Sequence, residues 1–359
     1  MRLCTFNVEN LFSRPVVFNM RDQERARQIM KMVSDFTELM SLPSYRDDKA
    51  EIERLWRELK DYIFINLRSS TVGRYLFVKG ELLPDGRGDW DGFIDLKRKR
   101  FDERQIKNTG KVIKEVDADI QCLVEVESAQ TLQRFNTDIL NSRFPDRIVI
   151  DGNDPRGIDI GLASKRDFPI LTARTNIFAE DQHGTIFSRD CLEVEVDVGR
   201  GQSLFVLVNH FKAKDRKPWK SDAKRKRQST EVSRILRERY DLSRDWVVVA
   251  GDLNDEPDSD PITPLIETPG LNNVLEVAQI PEENRWTYFY GAKKSYNSID
   301  YIFASDPVAP RIQKAGLERR GMHNVAALTG GAIQPFSNVT SWRNAASDHA
   351  AVWVDIDVS

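Results

Sequence analysis

Cysteine and histidine are scarce: the 359 residues hold three of the former, Cys4, Cys122 and Cys191, and four of the latter. No Cys-x-x-Cys spacing occurs, which excludes both a disulfide framework and a thiolate zinc cage. Each cysteine lies in a strand-like apolar run, so buried free thiols are expected. No stretch approaches the ~20 apolar residues that a membrane span requires. Excess charge of one sign is also missing. Charged residues make up 30% of the chain, yet the formal net charge is only -3, which excludes the global cationic field of a nucleic-acid coat protein. Any affinity for phosphate must therefore be local. There is no internal repeat and no low-complexity linker. The first patterned strand, residues 3–8, starts almost at Met1 and leaves no room for a signal peptide. A cytoplasmic protein with no stable membrane association and no obligate protein partner is expected.

What the chain does have is a set of apolar strands that end in polar tips. Val247-Val248-Val249-Ala250-Gly251 runs into Asp252-Leu253-Asn254-Asp255, and such a tip can orient water, a hard cation or a phosphate oxygen. Ser347-Asp348-His349 precedes the apolar run 350–354 and sets a carboxylate beside the side chain best suited to proton transfer near neutral pH. Asn7 and Glu9 follow the first strand, and Glu125 ends the strand 120–124. Asp159 lies in Arg156-Gly157-Ile158-Asp159, Asn209-His210 ends the strand 204–209, and Asp300 sits in Ser298-Ile299-Asp300-Tyr301. Residues far apart in sequence at strand ends are how an enzyme site is assembled on a layered scaffold.

From about 103 onward the chain alternates helical and strand-like units, with strands at 120–124, 147–150, 158–163, 191–197, 204–209, 246–250, 299–303 and 350–356. Residues 14–100 differ in character and read as an insertion. Helical spacing runs over 22–40 and 49–65, residues 84–89 read as a loop, and Lys97-Arg98-Lys99-Arg100 forms a small basic run. A lid or substrate-selecting wall is the expected role of this insertion. A stronger basic segment follows His210. It comprises Lys212, Lys214, Arg216 and Lys217, then Trp219 and Lys220, then Lys224-Arg225-Lys226-Arg227 at the start of a helix running to about Tyr240. Next to a polar tip, these cations suit a polyanion, and Trp219 offers a stacking face. No exposed aromatic hairpin is evident, which counts against a membrane substrate.

The ordered motifs Phe6-Asn7-Val8-Glu9-Asn10-Leu11, Val124-Glu125, Asn209-His210, Gly251-Asp252-Leu253-Asn254, Ile299-Asp300-Tyr301 and Ser347-Asp348-His349 resemble those of the endonuclease/exonuclease/phosphatase superfamily. The resemblance covers residues 1–13 and about 103–359. It implies an α/β, four-layer, DNase I-like sandwich with two packed central β-sheets flanked by helices, here carrying a largely helical insertion in one catalytic domain. It also implies Mg²⁺ or Mn²⁺ held by Glu125 with Asn7, Asp348 and Glu9. His349 is then the expected base, neutral and oriented by Asp300. Asp252 orients the attacking water or serves as an alternative base, and Asn254 donates to phosphate. His210, held charged by Asp159, assists the leaving group, while Arg156, Lys212, Lys214 and Arg225 are the expected substrate contacts. The implied activity is metal-dependent phosphodiester hydrolysis, with a nuclease acting on DNA or RNA as the first expectation. Alternatives are a phosphatase or phospholipase-like enzyme acting on an inositol phosphate, nucleotide or lipid headgroup, and a silent phosphate-binding module.

Overall fold

A computed structural model describes all residues except 12–16, 18, 19, 21, 98–102, 155, 216 and 292. Most of the basic run 97–100, and Arg216, therefore lie outside the described residues. The chain divides into two compact units, one formed by Met1–Phe12 with Phe101–Ser359, the other by Ser13–Arg100.

The larger unit is built on two six-stranded sheets. In the first, the order is Ile312–Glu318, Ala351–Ile356, Arg2–Leu11, Ile120–Val126, Asp159–Ser164 and Asp146–Ile150. In the second it is Leu271–Asn273, Asp300–Ser305, Val247–Asp252, Ser203–His210, Cys191–Asp197 and Ile170–Arg174. Period-two alternation sorts their side chains. Along Val247–Asp252, Val248 and Ala250 enter the core between the sheets, while Val247 and Val249 face outward. Leu3, Val124, Ile160 and Val352 meet Val194, Val206 and Ile302 in that shared core. The outer faces are covered by helices. Val112, Ile113, Leu132 and Phe135 from Glu103–Val116 and Ala129–Asp138 pack on the first sheet. Val232, Ile235 and Leu236 of Pro218–Arg239 pack on the second. The result is helix, sheet, sheet, helix, the expected four layers. All three cysteines are buried free thiols, and burial pushes the Cys4 thiol up to about 12.

The smaller unit has a core of its own, including Ile29, Phe36, Ile52, Leu55, Ile63 and Trp90. Its helices are Gln23–Leu39 and Lys49–Leu59. The helix expected over 49–65 stops at Leu59, because Ile63 and Ile65 begin a period-two strand, Ile63–Ser70, that pairs with Trp90–Leu96. A second short hairpin joins Phe77–Val78 to Glu81–Leu82. The insertion is therefore mixed α and β rather than largely helical.

Candidate active site

Each sheet contains one parallel pair, and a parallel pair delivers two carboxyl ends to the same edge. Asn7 stands opposite Val124, one residue before Glu125, in the first sheet. In the second, Asn209 stands opposite Gly251 and His210 opposite Asp252. Local irregularities then aim the side chains. The ladder between Ile120–Val126 and Asp159–Ser164 shifts register at Glu125, where φ is 68°. Glu9 (φ 46°) lies in a similar shift between Asn7 and Leu11, and Asn254 has φ 55°. Left-handed backbone at a non-glycine residue costs ~1–3 kcal/mol and is concentrated at functional sites. Gly251 is obligatory: at φ 138°, a Cβ would lie 1.9 Å from the Asn209 carbonyl oxygen.

Hydrogen bonds tie these tips into one network. Asn7 Nδ2 donates to Asp252 Oδ2 at 3.1 Å, its Oδ1 accepts from the Glu9 amide, and its carboxamide also steadies the Glu125 carboxylate. The Asn254 amide donates to Asp252 Oδ1 at 2.8 Å. His349 Nδ1 meets Asp300 Oδ2 at 2.8 Å. The His349 backbone N–H donates to Ser347 Oγ, which itself donates to the Asn7 carbonyl. His210 Nε2 lies 3.7 Å from Asp252 Oδ2 and 4.0 Å from Glu125 Oε1. Asp348 is half-exposed, 3.8 Å from His349 Nε2.

Electrostatics assign the protons. Burial opposes a charged His349, but the carboxylates of Asp300, Asp348 and Asp252 outweigh it and hold this imidazole well above its ordinary value. His210 moves the other way: burial, then Arg189, His349 and Arg156, push it well below. These directions run opposite to the expected roles, since the surroundings of His349 favour its charged form and those of His210 its neutral form. Asp159 meanwhile accepts the Gly152 amide at 2.7 Å. Burial and the neighbouring Asp300 raise Asp252 to about 7. Burial, Asp348 and Glu125 raise Glu9 to about 8, and burial with Asp348 raises Glu125.

The Asp252, Asp300 and His349 side chains converge within 4.8 Å, but His349 Nδ1 is already engaged by Asp300. Glu9, Glu125 and Asp348, with Asn7, offer hard oxygen donors, and their mutual repulsion contributes to raising Glu9 and Glu125. That donor set fits a divalent cation such as Mg²⁺ or Mn²⁺. A stability test follows. Raised carboxyl values mean that the folded, metal-free protein binds more protons than the unfolded chain between the ordinary carboxylate range, about 4, and about 8. Its stability therefore falls as pH rises through that window. Mg²⁺ is expected to raise Tm more at about pH 8 than at about pH 5 in a thermal-shift titration; equal shifts at both pH values contradict this charge distribution.

The expected substrate cations are placed differently. Arg156 is half-exposed and bound to Asp154 through Nε and Nη2, the latter at 2.8 Å. Its charge still reaches Glu125 and His210. Lys212 pairs with Asp215 at 3.4 Å and Lys214 with Asp255 at 2.7 Å. Arg225 is no surface contact. It is fully buried, donating through Nε to Asp255 at 2.8 Å and through Nη1 to the Lys212 carbonyl, with Asp222 as a further partner. Lys224 donates to the Thr185 carbonyl, Lys226 pairs with Asp260, and Arg227 pairs with Asp181. The run 224–227 thus anchors neighbouring loops.

Two residues of the site escaped sequence reasoning. Arg189 is buried with one bond to Asp154, at 3.0 Å, and an unpartnered Nε, and its charge acts on Glu125, His210 and Asp252. It stands two residues before Cys191–Asp197, which runs antiparallel to the His210 strand with Cys191 opposite Asn209. The start of that strand therefore shares the edge where its neighbour ends. Tyr288 is the second, its ring centroid 5.0 Å from that of His349.

Residues 71–308 match the model of the Endonuclease/Exonuclease/phosphatase family. The chain belongs to that family. No curated protein sequence matches it. Solved structures of this fold superpose at low identity. Truncated Caenorhabditis elegans TDP2 is 19% identical with TM-score 0.51, covering 70% of this chain and 89% of that one. D. rerio TDP2 complexed with single strand DNA product is 16% identical with TM-score 0.54, covering 72% and 94%. The human Nocturnin catalytic domain with bound sulfate is 15% identical with TM-score 0.51, covering 72% and 87%. These neighbours establish the DNase I-like sandwich for this member of the endonuclease/exonuclease/phosphatase family. Among the described residues, no helix is long and apolar enough to cross a membrane.

Proposed function

We propose that the chain is a metal-dependent phosphodiester hydrolase, a nuclease cutting DNA or RNA by in-line attack of an activated water on phosphorus. The observation that carries this reading is the network joining Asn7, Asp252 and Asn254 beside the His349–Asp300 pair, with Glu125 and His210 within 4.0 Å of one another. Glu125, with Asp348, Glu9 and the Asn7 carboxamide, would hold Mg²⁺ or Mn²⁺, which when bound supplies neutralising charge to a phosphate oxygen.

The remaining steps belong to the protein's own side chains. Asp252, fixed by Asn7 and the Asn254 amide and titrating near neutrality, accepts the proton of the attacking water. The His349 imidazolium, oriented by Asp300, and the neutral His210 N–H donate to phosphate oxygens as negative charge builds. Asn254 adds a side-chain N–H, and Arg156 faces the flanking phosphate. The complex of D. rerio TDP2 with single strand DNA product supports nucleic acid as the substrate class. Glu125→Gln is expected to raise the Mg²⁺ concentration for half-maximal hydrolysis by more than about tenfold, measured by metal titration of initial rates. An unchanged metal requirement removes Glu125 from the cation site.

A further inference from the structure

The second sheet leaves part of one edge uncovered. Leu271–Asn273 pairs with Asp300–Ser305 only along Phe303–Ser305, and after Asn273 the chain turns into the short helix Val274–Val277. Val247–Asp252 pairs with Asp300, Tyr301 and Ile302 on one side, but on the other no strand of the sheet lies beside them. The result is a notch of about 630 Å³, within the ~300–1,000 Å³ typical of small-ligand sites. Its walls include Asp300 and Tyr301, the loop from Glu256 to Asp258, and the turn that carries Glu282, Glu283 and Arg285. The sequence showed no exposed aromatic hairpin, but the structure contains one, in which Tyr288–Tyr290 pairs with Ser295–Asn297 and Tyr296 lines the notch.

The lining is acidic. Asp258, Glu282 and Glu283 are exposed and unpaired among the described residues, and Glu256 is bound by the neutral Asn297 carboxamide. The one cation among the described wall residues, Arg285, is already held by Glu276 at 2.9 Å and by the Ile280 carbonyl. Asp300 adds a separate signal. Its Oδ2 meets His349, while its Oδ1 is buried with no hydrogen-bond partner, although buried polar atoms are nearly always satisfied. A donor carried by a ligand in the notch would complete it. The notch acids do not converge into a chelate, because among the described residues only Asp252, Asp300 and His349 bring ligand atoms within 4.8 Å of one another. Carboxylates spread over separate chain segments match several charges on one flexible molecule better than a single metal ion. Tyr296 adds a ring that is 47% exposed and fixed by its Oη, which donates to the Leu328 carbonyl at 2.8 Å; such a face attracts organic cations. Arg319 already makes that contact on the neighbouring Trp286, its guanidinium carbon 4.2 Å from the ring centroid.

We propose that the notch binds a linear organic polycation, its ammonium groups matched to Glu256, Asp258 and the Glu282–Glu283 pair, with one N–H reaching Asp300 Oδ1. A free polyamine and the lysine side chains of a basic polypeptide present this same chemistry. The acidic walls repel phosphate, so this ligand is distinct from the phosphodiester substrate. Contact with Asp300 sets it against the carboxylate that orients His349. The site stands independently of the hydrolase reading, because its occupancy is measured without turnover.

The test is isothermal titration calorimetry of the full-length protein with spermine, a hexalysine peptide and MgCl₂ at constant ionic strength. The wild type is compared with Glu282→Gln/Glu283→Gln, with Asp258→Asn and with a control pair outside the notch, Asp138→Asn/Asp167→Asn. All five side chains are exposed, so the variants are expected to fold, which circular dichroism verifies. The wild type is expected to bind one polycation per chain. Glu282→Gln/Glu283→Gln is expected to raise Kd about tenfold and Asp258→Asn by a smaller factor, through lost Coulomb attraction, with the control pair unchanged. Tighter binding of spermine than of hexalysine identifies the occupant as a free polyamine, and the reverse as a basic polypeptide. Equal losses in the notch and control pairs, which reduce the binding to net charge, overturn the proposal. So does Mg²⁺ binding that the notch pair abolishes while spermine binding survives, or a wild type that binds neither polycation. Failure of the hydrolase reading looks different: the wild type then binds the polycation and turns over no phosphodiester.

Discussion

Asp252→Asn is expected to lower kcat for phosphodiester hydrolysis by about a thousandfold while leaving the fold intact, as a general base typically contributes ~10²–10⁴. The carboxamide keeps the shape and can still accept the Asn254 amide, but it cannot take a proton. The same change removes one of the buried carboxylates that crowd the site, so thermal stability should not fall with activity. In the wild type the proton acceptor must be ionised, so the rate rises with pH through the Asp252 value, which is about 7 without metal. A bound cation favours the carboxylate and moves that limb to lower pH. Steady-state rates and far-UV circular dichroism on the same preparation check this result. A folded variant that retains more than about a tenth of wild-type kcat would show that the proton goes elsewhere. His349→Ala is expected to cost activity on a similar scale, because it removes the imidazolium and leaves Asp300 with one orphaned oxygen more than the Oδ1 that already lacks a partner.

The second large effect concerns stability. Arg225→Ala should destabilise the protein by ~3–5 kcal/mol, because it takes from the buried Asp255 its buried partner and leaves it only the exposed Lys214. Its guanidinium joins Asp255, Asp222 and the Lys212 carbonyl, so it links the helix Pro218–Arg239 to the loop after Asp252 and the segment after His210. Asp255 is held below the ordinary carboxylate range by Lys214 and Arg225 against the cost of burial. A depressed carboxyl contributes stability that is present above its unfolded value and lost as pH falls through the folded one. Equilibrium urea unfolding should therefore show the wild-type advantage over Arg225→Ala shrinking at acid pH; a variant as stable as wild type at neutral pH contradicts this role. Neutral substitutions at Lys226 and Arg227 should break loop anchors without flattening the salt dependence of KM, because those charges are already paired with Asp260 and Asp181.

The layers and the strand-end residues were legible because both are local signals. Alternating or continuous apolar runs define the strands, and a polar tip on each marks the edge where Asn7, Glu125, His210, Asp252 and His349 stand. Two kinds of information were not local. Which charges are spent on one another depends on loops distant in sequence: Arg225 looked like a surface cation until Asp255, thirty residues away, was placed beside it. Antiparallel neighbours were the other blind spot. Arg189 and Tyr288 reach the site at positions where a strand begins or a lone bridge forms, and no apolar run points to them. The direction in which each histidine is pushed was not local either, because it follows from burial and from Asp300, Asp348 and Arg189 acting together. In the smaller unit, the helix expected over 49–65 absorbed the first residues of a strand whose partner lies more than twenty residues on.

The most direct test of the central claim is hydrolysis by the wild-type chain with Mg²⁺, Mn²⁺ or EDTA. The substrates are single- and double-stranded DNA, RNA, bis-p-nitrophenyl phosphate and inositol polyphosphates, with Asp252→Asn alongside. Metal-dependent cleavage of polynucleotide, abolished by EDTA and by the substitution, is the predicted result. Turnover that survives EDTA, or that Asp252→Asn leaves intact, would contradict the account.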